Sequence, residues 1–169
     1  MDSGPGYEAL RRGRFSQPAS RYFLTLTTEE RLPGLSTAAV ATTIKHEISA
    51  LEADHSWQVH AAVIMPDHLH LLITLGHRLT LGQAVGRLKA KTANLLARTG
   101  LRWQEIYYDH HLRPDDLPGD GVRYIFLNPY RAALLPTSER YNWTWLGTEE
   151  QQWFTPSADD GRPFPEWLQ

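Results

Sequence analysis

The fold is decided by His68–Leu75, which reads HLHLLITL. In a β-strand, alternate side chains share a face. Four aliphatic side chains would therefore form an unbroken apolar face for a core: Leu69, Leu71, Ile73 and Leu75. His68 and His70 would stand together on the opposite face. The stretch predicts a half-buried strand with two imidazoles on its open side.

Three further strands are predicted around this stretch. Residues 58–65 (QVHAAVIM) form an apolar run that Pro66-Asp67 turns back, so the two strands make a hairpin. Residues 21–28 (RYFLTLTT) alternate aromatic and β-branched side chains, which is typical of a strand. Residues 104–110 (QEIYYDH) predict a fourth strand.

Two long helices are predicted between these strands. Residues 37–53 carry apolar side chains at helical spacing, with Ser36 as the expected cap. Residues 80–99 begin with Thr80 and Gln83, the two partners of a capping box. The order strand–helix–strand–strand–helix–strand is that of a ferredoxin-like split βαβ fold. We therefore expect an α+β protein whose antiparallel sheet has its helices on one face and leaves the other face free for a site.

The domain organisation follows from composition. Residues 1–19 are rich in Gly, Pro, Ser and Arg and predict a basic flexible arm. Residues 20–146 are expected to form a single domain. Residues 147–169 predict an acidic tail, rich in aromatic side chains, that packs on the domain.

Composition excludes several classes of protein. The 169 residues are 41% hydrophobic and 21% charged, as in an ordinary soluble globular domain. No apolar run is long enough to span a membrane, and the N-terminus lacks the core of a secretory signal. We therefore expect a cytoplasmic protein with no membrane partner. The absence of cysteine excludes disulfides, thiolate metal sites and cysteine nucleophiles.

Charge is unevenly distributed along the chain, although the net charge is only −2. Residues 78–113 contain seven basic and two acidic side chains, whereas residues 138–169 contain two basic and six acidic ones. A basic middle segment is the kind of feature that binds nucleic acid.

His68 and His70 are the first candidates for chemistry. Two histidines on one strand face can share a metal ion. They can equally be two half-exposed surface histidines, and the spacing leaves both interpretations open. Asp109 could add a metal ligand, could orient a ligand histidine, or could lie in solvent at a strand end.

Tyr124 and Asn128 are the second candidates. A helix is predicted over residues 121–127 and is expected to break near Asn128-Pro129, because proline disfavours helical geometry in the preceding residue. If the helix reached Asn128, the two side chains would share a face. Otherwise Tyr124 would be a core residue and Asn128 a cap.

Together these segments resemble a known family. VIMPDHLHLLITL is similar to the His-hydrophobic-His motif of the HUH endonucleases, in the form found in single-tyrosine transposases. YIFLNPYRAALL resembles the tyrosine segment of those proteins. The segments RYFLTLT, WQEIYYDHHLR and ERYNWTW and the Leu88-Lys89 helix also match in order, over roughly residues 20 to 146. The closest branch is the REP-associated tyrosine transposases, relatives of the IS200-type enzymes.

The resemblance implies a nuclease that joins itself to DNA. Tyr124 would be the nucleophile and would form a 5′-phosphotyrosine intermediate. His68, His70 and Asn128 would hold a divalent metal, Mg²⁺ or Mn²⁺. The substrate would be single-stranded DNA near palindromic hairpin elements, and the protein would act as a monomer or a homodimer. Tyr130 and Ala133 stand where the family commonly has Val and Gly.

Other residues are candidates for DNA contacts. Phosphate contacts are expected from a set of basic side chains: Arg11, Arg12, Arg14, Arg87, Lys89, Lys91 and Arg131. Unpaired bases could stack on Tyr107, Tyr108 and Tyr130. Each of these residues could instead be ordinary surface or core.

Two other functions remain open from the sequence. The first is a domesticated protein of the same fold that binds DNA hairpins without cutting them. The second is an unrelated metal-dependent hydrolase that uses His68, His70 and Asp109 with a water nucleophile.

Overall fold

The computed structural model of the protein describes residues 16–153. Arg11, Arg12 and Arg14, and most of the predicted acidic tail, lie outside these described residues. The elements in chain order are β1 (Arg21–Thr27), α1 (Ala38–Ala53), β2 (Trp57–Ile64), β3 (His68–Leu75), α2 (Leu81–Arg98), β4 (Tyr108–His111), α3 (Pro118–Arg131), β5 (Thr144–Leu146) and α4 (Thr148–Trp153). A short 3-10 turn, Glu29–Arg31, follows β1.

The strands form one five-stranded sheet in the order β4-β1-β3-β2-β5. Every neighbouring pair is antiparallel. The first four strands in this order have the ferredoxin-like arrangement, so the predicted α+β class is confirmed. The fifth strand, Thr144–Leu146, was not predicted, and it pairs with β2. Three residues are too few to show a strand periodicity.

The main core lies between the sheet and helices α1 and α2. The predicted apolar face of β3 is fully buried there, with Leu69, Leu71 and Ile73 each 0% exposed. The capping box at the start of α2 is present as predicted. The cap of α1 is Thr37 instead of Ser36, and its side chain makes no capping bond to the helix.

Helix α3 lies on the other face of the sheet, which the sequence had suggested would carry no helix. Val122 and Ile125 pack there against Leu72 of β3 and against Ala61 and Val63 of β2. A site on this face is therefore bounded by the sheet on one side and by α3 on the other.

Helix α3 also runs through Pro129 to Arg131, so the predicted break at Asn128-Pro129 is wrong. Phe126, Leu127 and Tyr130 form a small buried cluster around this last turn. Tertiary packing of this kind regularly overrides the local preference of a residue before proline. The consequence is that Asn128 lies inside the helix.

The described end of the chain is held by a buried polar contact. Glu150 of α4 and His60 of β2 are each 2% exposed, and Oε1 of the glutamate lies 2.5 Å from Nδ1 of the histidine. The other ring nitrogen, Nε2, lies 2.7 Å from the hydroxyl of Thr74. Both ring nitrogens of His60 are thus occupied by protein atoms.

Within residues 16–153, no helix has the length and apolar character needed to cross a bilayer.

Candidate active site

His68 and His70 lie side by side on the open face of β3. Their ring centroids are 4.5 Å apart and the rings meet edge to face. This is the arrangement that strand alternation predicts. Neighbouring imidazoles at this separation can direct nitrogen atoms toward one cation.

One nitrogen of each ring is occupied by the protein. Nδ1 of His68 lies 2.6 Å from Oδ1 of Asp67, and Nδ1 of His70 lies 2.8 Å from the hydroxyl oxygen of Thr25. With the proton on Nδ1, each ring donates to its oxygen partner and keeps the lone pair on Nε2. Metal-binding histidines are commonly held in this way. The pair therefore fits a cation bound through two Nε2 atoms.

Burial keeps the His70 ring neutral. Removal from solvent, reinforced by the neighbouring His68, lowers the pKa of His70 to about 3. The ring is therefore uncharged at neutral pH, and its free lone pair is available to a metal ion.

Asp67 is also a site residue, although the sequence predicts it only as part of a turn. Its second carboxylate oxygen lies 2.9 Å from Nε of Arg31. Burial by itself would raise the pKa of the Asp67 carboxyl. The hydrogen bond with His68 and the charges of His68 and Arg31 outweigh burial and hold this pKa below the ordinary value of 3.8. The sequence feature from which this role could have been predicted is a carboxylate directly before the first histidine of the pair.

Helix α3 brings Tyr124 to the two histidines. The Tyr124 ring centroid lies 5.4 Å from that of His70 and 5.7 Å from that of Phe23. Tyr124 is 41% exposed, whereas the adjacent Ile125 is 0% exposed. The alternative in which Tyr124 is a core residue is therefore wrong. Its ring is both beside His70 and accessible to a substrate.

Asn128 and Arg131 lie on the same side of α3 as Tyr124. They follow Tyr124 by four and seven residues, which places all three on one side of the helix. Asn128 is therefore not a cap, and its amide oxygen is a candidate donor to a cation on this face. The guanidinium carbon of Arg131 lies 5.2 Å from the centre of the Tyr124 ring, which is a cation–π distance.

Asp109 does not join this site. It pairs with Leu24 of β1, and Leu24 is 0% exposed in the core between the sheet and helices α1 and α2. Directly opposed residues of paired strands point to the same face. Asp109 is therefore on the face away from His68 and His70. Among residues 16–153, no three His, Asp or Glu side chains form a metal-binding group, so the metal site proposed with Asp109 is not present there.

The basic residues of α2 also lie away from the site, because α2 packs on the core face of the sheet. Nη1 of Arg87 is 2.5 Å from Oδ2 of Asp54. Nζ of Lys89 is 2.7 Å from the carbonyl oxygen of Gln104. Arg87 and Lys89 thus contact the protein itself, and Lys91 is exposed on the same helix. Of the described basic candidates, Arg131 is the one beside Tyr124.

The three tyrosines predicted to stack on bases differ in exposure. Tyr107 is 7% exposed and Tyr130 is 5% exposed, so both are core residues and the prediction is wrong for them. The Tyr130 hydroxyl donates a hydrogen bond to the carbonyl of Glu139. Tyr108 is 60% exposed and is the one of the three that a base could reach.

Comparison with known proteins points to one family. The family model described as "Transposase IS200 like" matches residues 16–112, which is more than half of the chain. This range contains strands β1 to β4 and both histidines. Helix α3, with Tyr124, lies beyond it. No curated protein sequence matches the chain.

Two solved structures are similar to this chain. The structure of a REP-associated tyrosine transposase bound to a REP hairpin has a TM-score of 0.66 and 20% sequence identity, over 78% of this chain and 79% of that one. A crystallised protein assigned as a transposase of Deinococcus radiodurans R1 has a TM-score of 0.48 and 19% identity, over 79% of this chain and 92% of that one. The first likeness, at 20% identity, shows the fold alone. On the family match, the chain belongs to the IS200-like transposases.

Proposed function

We propose that this transposase-family protein is a divalent-metal-dependent endonuclease and strand-transferase of single-stranded DNA. Tyr124 is its nucleophile, and DNA hairpins of the REP type are its substrate class. The supporting observation is the placement of an exposed tyrosine 5.4 Å, ring to ring, from the second of two paired histidines. The hairpin substrate is suggested by the structure of similar fold that was solved with a REP hairpin.

A metal ion fits the donor set that these residues offer. Both histidines keep Nε2 for a ligand because each Nδ1 has an oxygen partner. The amide oxygen of Asn128, one turn after Tyr124, would supply a third donor. When bound, Mg²⁺ or Mn²⁺ would offset the negative charge on the phosphate oxygens. Two neutral imidazoles and an amide leave the full charge of the ion available for this role.

Tyr124 supplies the covalent chemistry. Its phenolic oxygen bonds to phosphorus while the bond from phosphorus to the 3′ oxygen breaks. The phenol loses its proton, and the leaving 3′ oxygen takes up a proton. The products are a 5′-phosphotyrosine and a free 3′ hydroxyl. A 3′ hydroxyl of another strand can then attack this linkage, so rejoining needs no nucleotide cofactor.

Arg131 and Phe23 position the nucleophile. The guanidinium lies over one side of the Tyr124 ring, and Phe23 meets the ring edge to face. These contacts restrict the rotation of the ring. Arg131 also places a positive charge close to where the phosphate must bind for attack.

The proposal is tested by covalent trapping. Hairpin oligonucleotides labelled on the 3′ side of the expected cut are incubated with the protein and Mn²⁺ or Mg²⁺, then separated on a denaturing gel. We expect a labelled protein–DNA band that is lost with a chelator and lost in Tyr124→Phe. The matched control is Tyr130→Phe, the same change on the same helix. It removes a hydroxyl bonded to the Glu139 backbone, and the band is expected to remain.

Other outcomes of this assay correspond to the other functions. Hairpin binding without any covalent band would indicate a protein that binds without cutting. Free cleaved DNA that persists in Tyr124→Phe would indicate a water nucleophile, and the proposal would be wrong.

A further inference from the structure

Strand β4 presents alternate side chains to opposite faces of the sheet. Tyr107, just before the strand, is buried in the core between the sheet and helices α1 and α2. His111 stacks on the buried Tyr22 of the same core, with ring centroids 5.0 Å apart. Tyr108 lies between these positions in the alternation, so its side chain projects from the opposite face, where His70 and Tyr124 lie.

The strand register places Tyr108 in line with the site. Tyr108 pairs with Thr25 of β1, and Thr25 pairs with His70 of β3. Thr25 is also the hydrogen-bond partner of the His70 ring. The three residues thus form one row across adjacent strands. Strands are spaced by ~4.8 Å, so the backbone of Tyr108 is about 10 Å from that of His70.

Exposure distinguishes Tyr108 from the other aromatic residues of the protein. Among the Phe, Trp and Tyr side chains of residues 16–151, two are largely exposed: Tyr108 at 60% and Tyr124 at 41%. Tyr108 projects from the sheet face on which helix α3 places Tyr124. A single exposed tyrosine is ordinary for a protein surface. Two on the face of a candidate active site, with no third among the described Phe, Trp and Tyr side chains, indicate a function.

Together these observations point to the ligand. We infer that Tyr108 is a base-stacking subsite, which takes an unpaired nucleobase of the strand whose phosphate is presented to Tyr124. This inference rests on the proposed function. A tyrosine ring offers its face to the face of any base, and only an unpaired, unstacked base leaves that face free. His110 on the same face has a side chain that is 48% exposed; its Nε2 lies 3.3 Å from Oδ2 of Asp116, and its Nδ1 can bond a base edge.

The inference is tested by binding, without cleavage. Affinities are measured by fluorescence anisotropy in a Tyr124→Phe background with chelator present, so neither metal nor covalent chemistry contributes. The probes are a hairpin carrying a single-stranded flank and the same hairpin without the flank. We expect Tyr108→Ala to weaken binding of the flanked hairpin by about 5- to 100-fold, the range for loss of one stacked base. Tyr108→Phe keeps the ring and should keep the affinity.

An abasic scan locates the base. Replacing flank nucleotides one at a time by abasic residues should weaken binding at one position in the parent protein. The same replacement should cause no further loss of affinity in Tyr108→Ala, because the stacking interaction is already absent. Thermal unfolding of Tyr108→Ala, a change at an exposed position, serves as the check on folding.

The outcomes separate this inference from the proposed catalysis. Equal affinity of Tyr108→Ala and parent for the flanked hairpin, or equal losses with both probes, overturns the stacking subsite. A Tyr108 effect confined to the flanked hairpin supports the subsite even if covalent trapping fails. No binding to either probe would overturn the inference together with the DNA substrate proposed above.

Discussion

At the scale of single residues, the two histidines of the site are held by different means. His70 is 5% exposed and is kept neutral by burial, with Thr25 as its partner. His68 is more accessible and is held by the Asp67 carboxylate, which Arg31 contacts from its other side. Asp67 is therefore a positioning residue that acts through His68.

Replacing Asp67 should weaken metal binding. Asp67→Ala removes the acceptor of the His68 Nδ1 proton, so the ring can rotate and can carry its proton on Nε2 instead. Changes of this type commonly lower metal affinity 10- to 100-fold, and we expect a loss in that range, roughly, for Mn²⁺ measured by calorimetry. Asp67→Asn keeps an acceptor oxygen, so its loss of Mn²⁺ affinity should be smaller.

The control for this prediction is Asp115→Ala, a carboxylate change at an exposed position of the loop before α3. Its Mn²⁺ affinity should equal that of the parent protein. Unchanged affinity in Asp67→Ala would mean that the carboxylate does not orient the ligand.

At the scale of elements, α3 shows how a helix can end after a proline. The N–H of Ala133 donates to the carbonyl of Tyr130, and the N–H of Leu134 donates to the carbonyl of Pro129. This pair of bonds is a Schellman motif, which needs a left-handed residue after the cap. Ala133 occupies that position with φ of +51°. Glycine, common here in the resembling family, adopts this conformation without strain.

Ala133→Gly should therefore stabilise the protein. Removing the side chain relieves a left-handed strain of roughly 1–2 kcal/mol. The greater freedom of glycine in the unfolded chain offsets roughly 0.5–1 kcal/mol of that gain. We expect the free energy of unfolding, measured with urea, to rise by about 0.5–1 kcal/mol.

The matched control is the neighbouring residue, Ala132, which has φ of −80°. Ala132→Gly relieves no strain and should lower the free energy of unfolding by up to about 1 kcal/mol. Equal effects of the two substitutions would show that the left-handed conformation is not the cause.

At the scale of the whole molecule, the sheet lies between the basic helix α2 and the candidate active site. The basic stretch of the sequence contributes helix α2, which packs on the core face. The paired histidines and Tyr124 lie on the other face, with Arg131 over the tyrosine ring. The basic middle segment of the sequence is therefore not one continuous surface around the site.

This separation predicts different salt dependences for two variants. Arg131→Ala should lower the affinity for hairpin DNA and reduce the slope of log affinity against log salt by about 1, as expected for one lost phosphate contact. Lys91→Ala removes an exposed positive charge from the opposite layer and should leave the slope unchanged. Both slopes are measured by anisotropy titrations at several salt concentrations. A larger slope change for Lys91→Ala would place the DNA on the α2 face.

The sequence alone determined the four strands, the two long helices and their order. Alternation of apolar side chains along a strand indicates which face is buried. The stretch His68–Leu75 therefore predicted which face of its strand packs in the core and which carries the histidines. Motif resemblance predicted the family, and its residue roles for Tyr124 and Asn128 stay proposals. These features are local, because each depends on residues close together in the chain.

The other residues that meet at the site are brought together by tertiary contacts. Strand register placed Asp109 on the far face and Tyr108 in line with His70. Helix α3 continues through Pro129 and packs on the open face of the sheet. In this position Tyr124 is exposed and Tyr130 is buried. Asp67 became a site residue through its contacts with His68 and Arg31. Apart from the contact between the adjacent residues Asp67 and His68, these outcomes depend on contacts between residues distant in sequence, which no local pattern encodes.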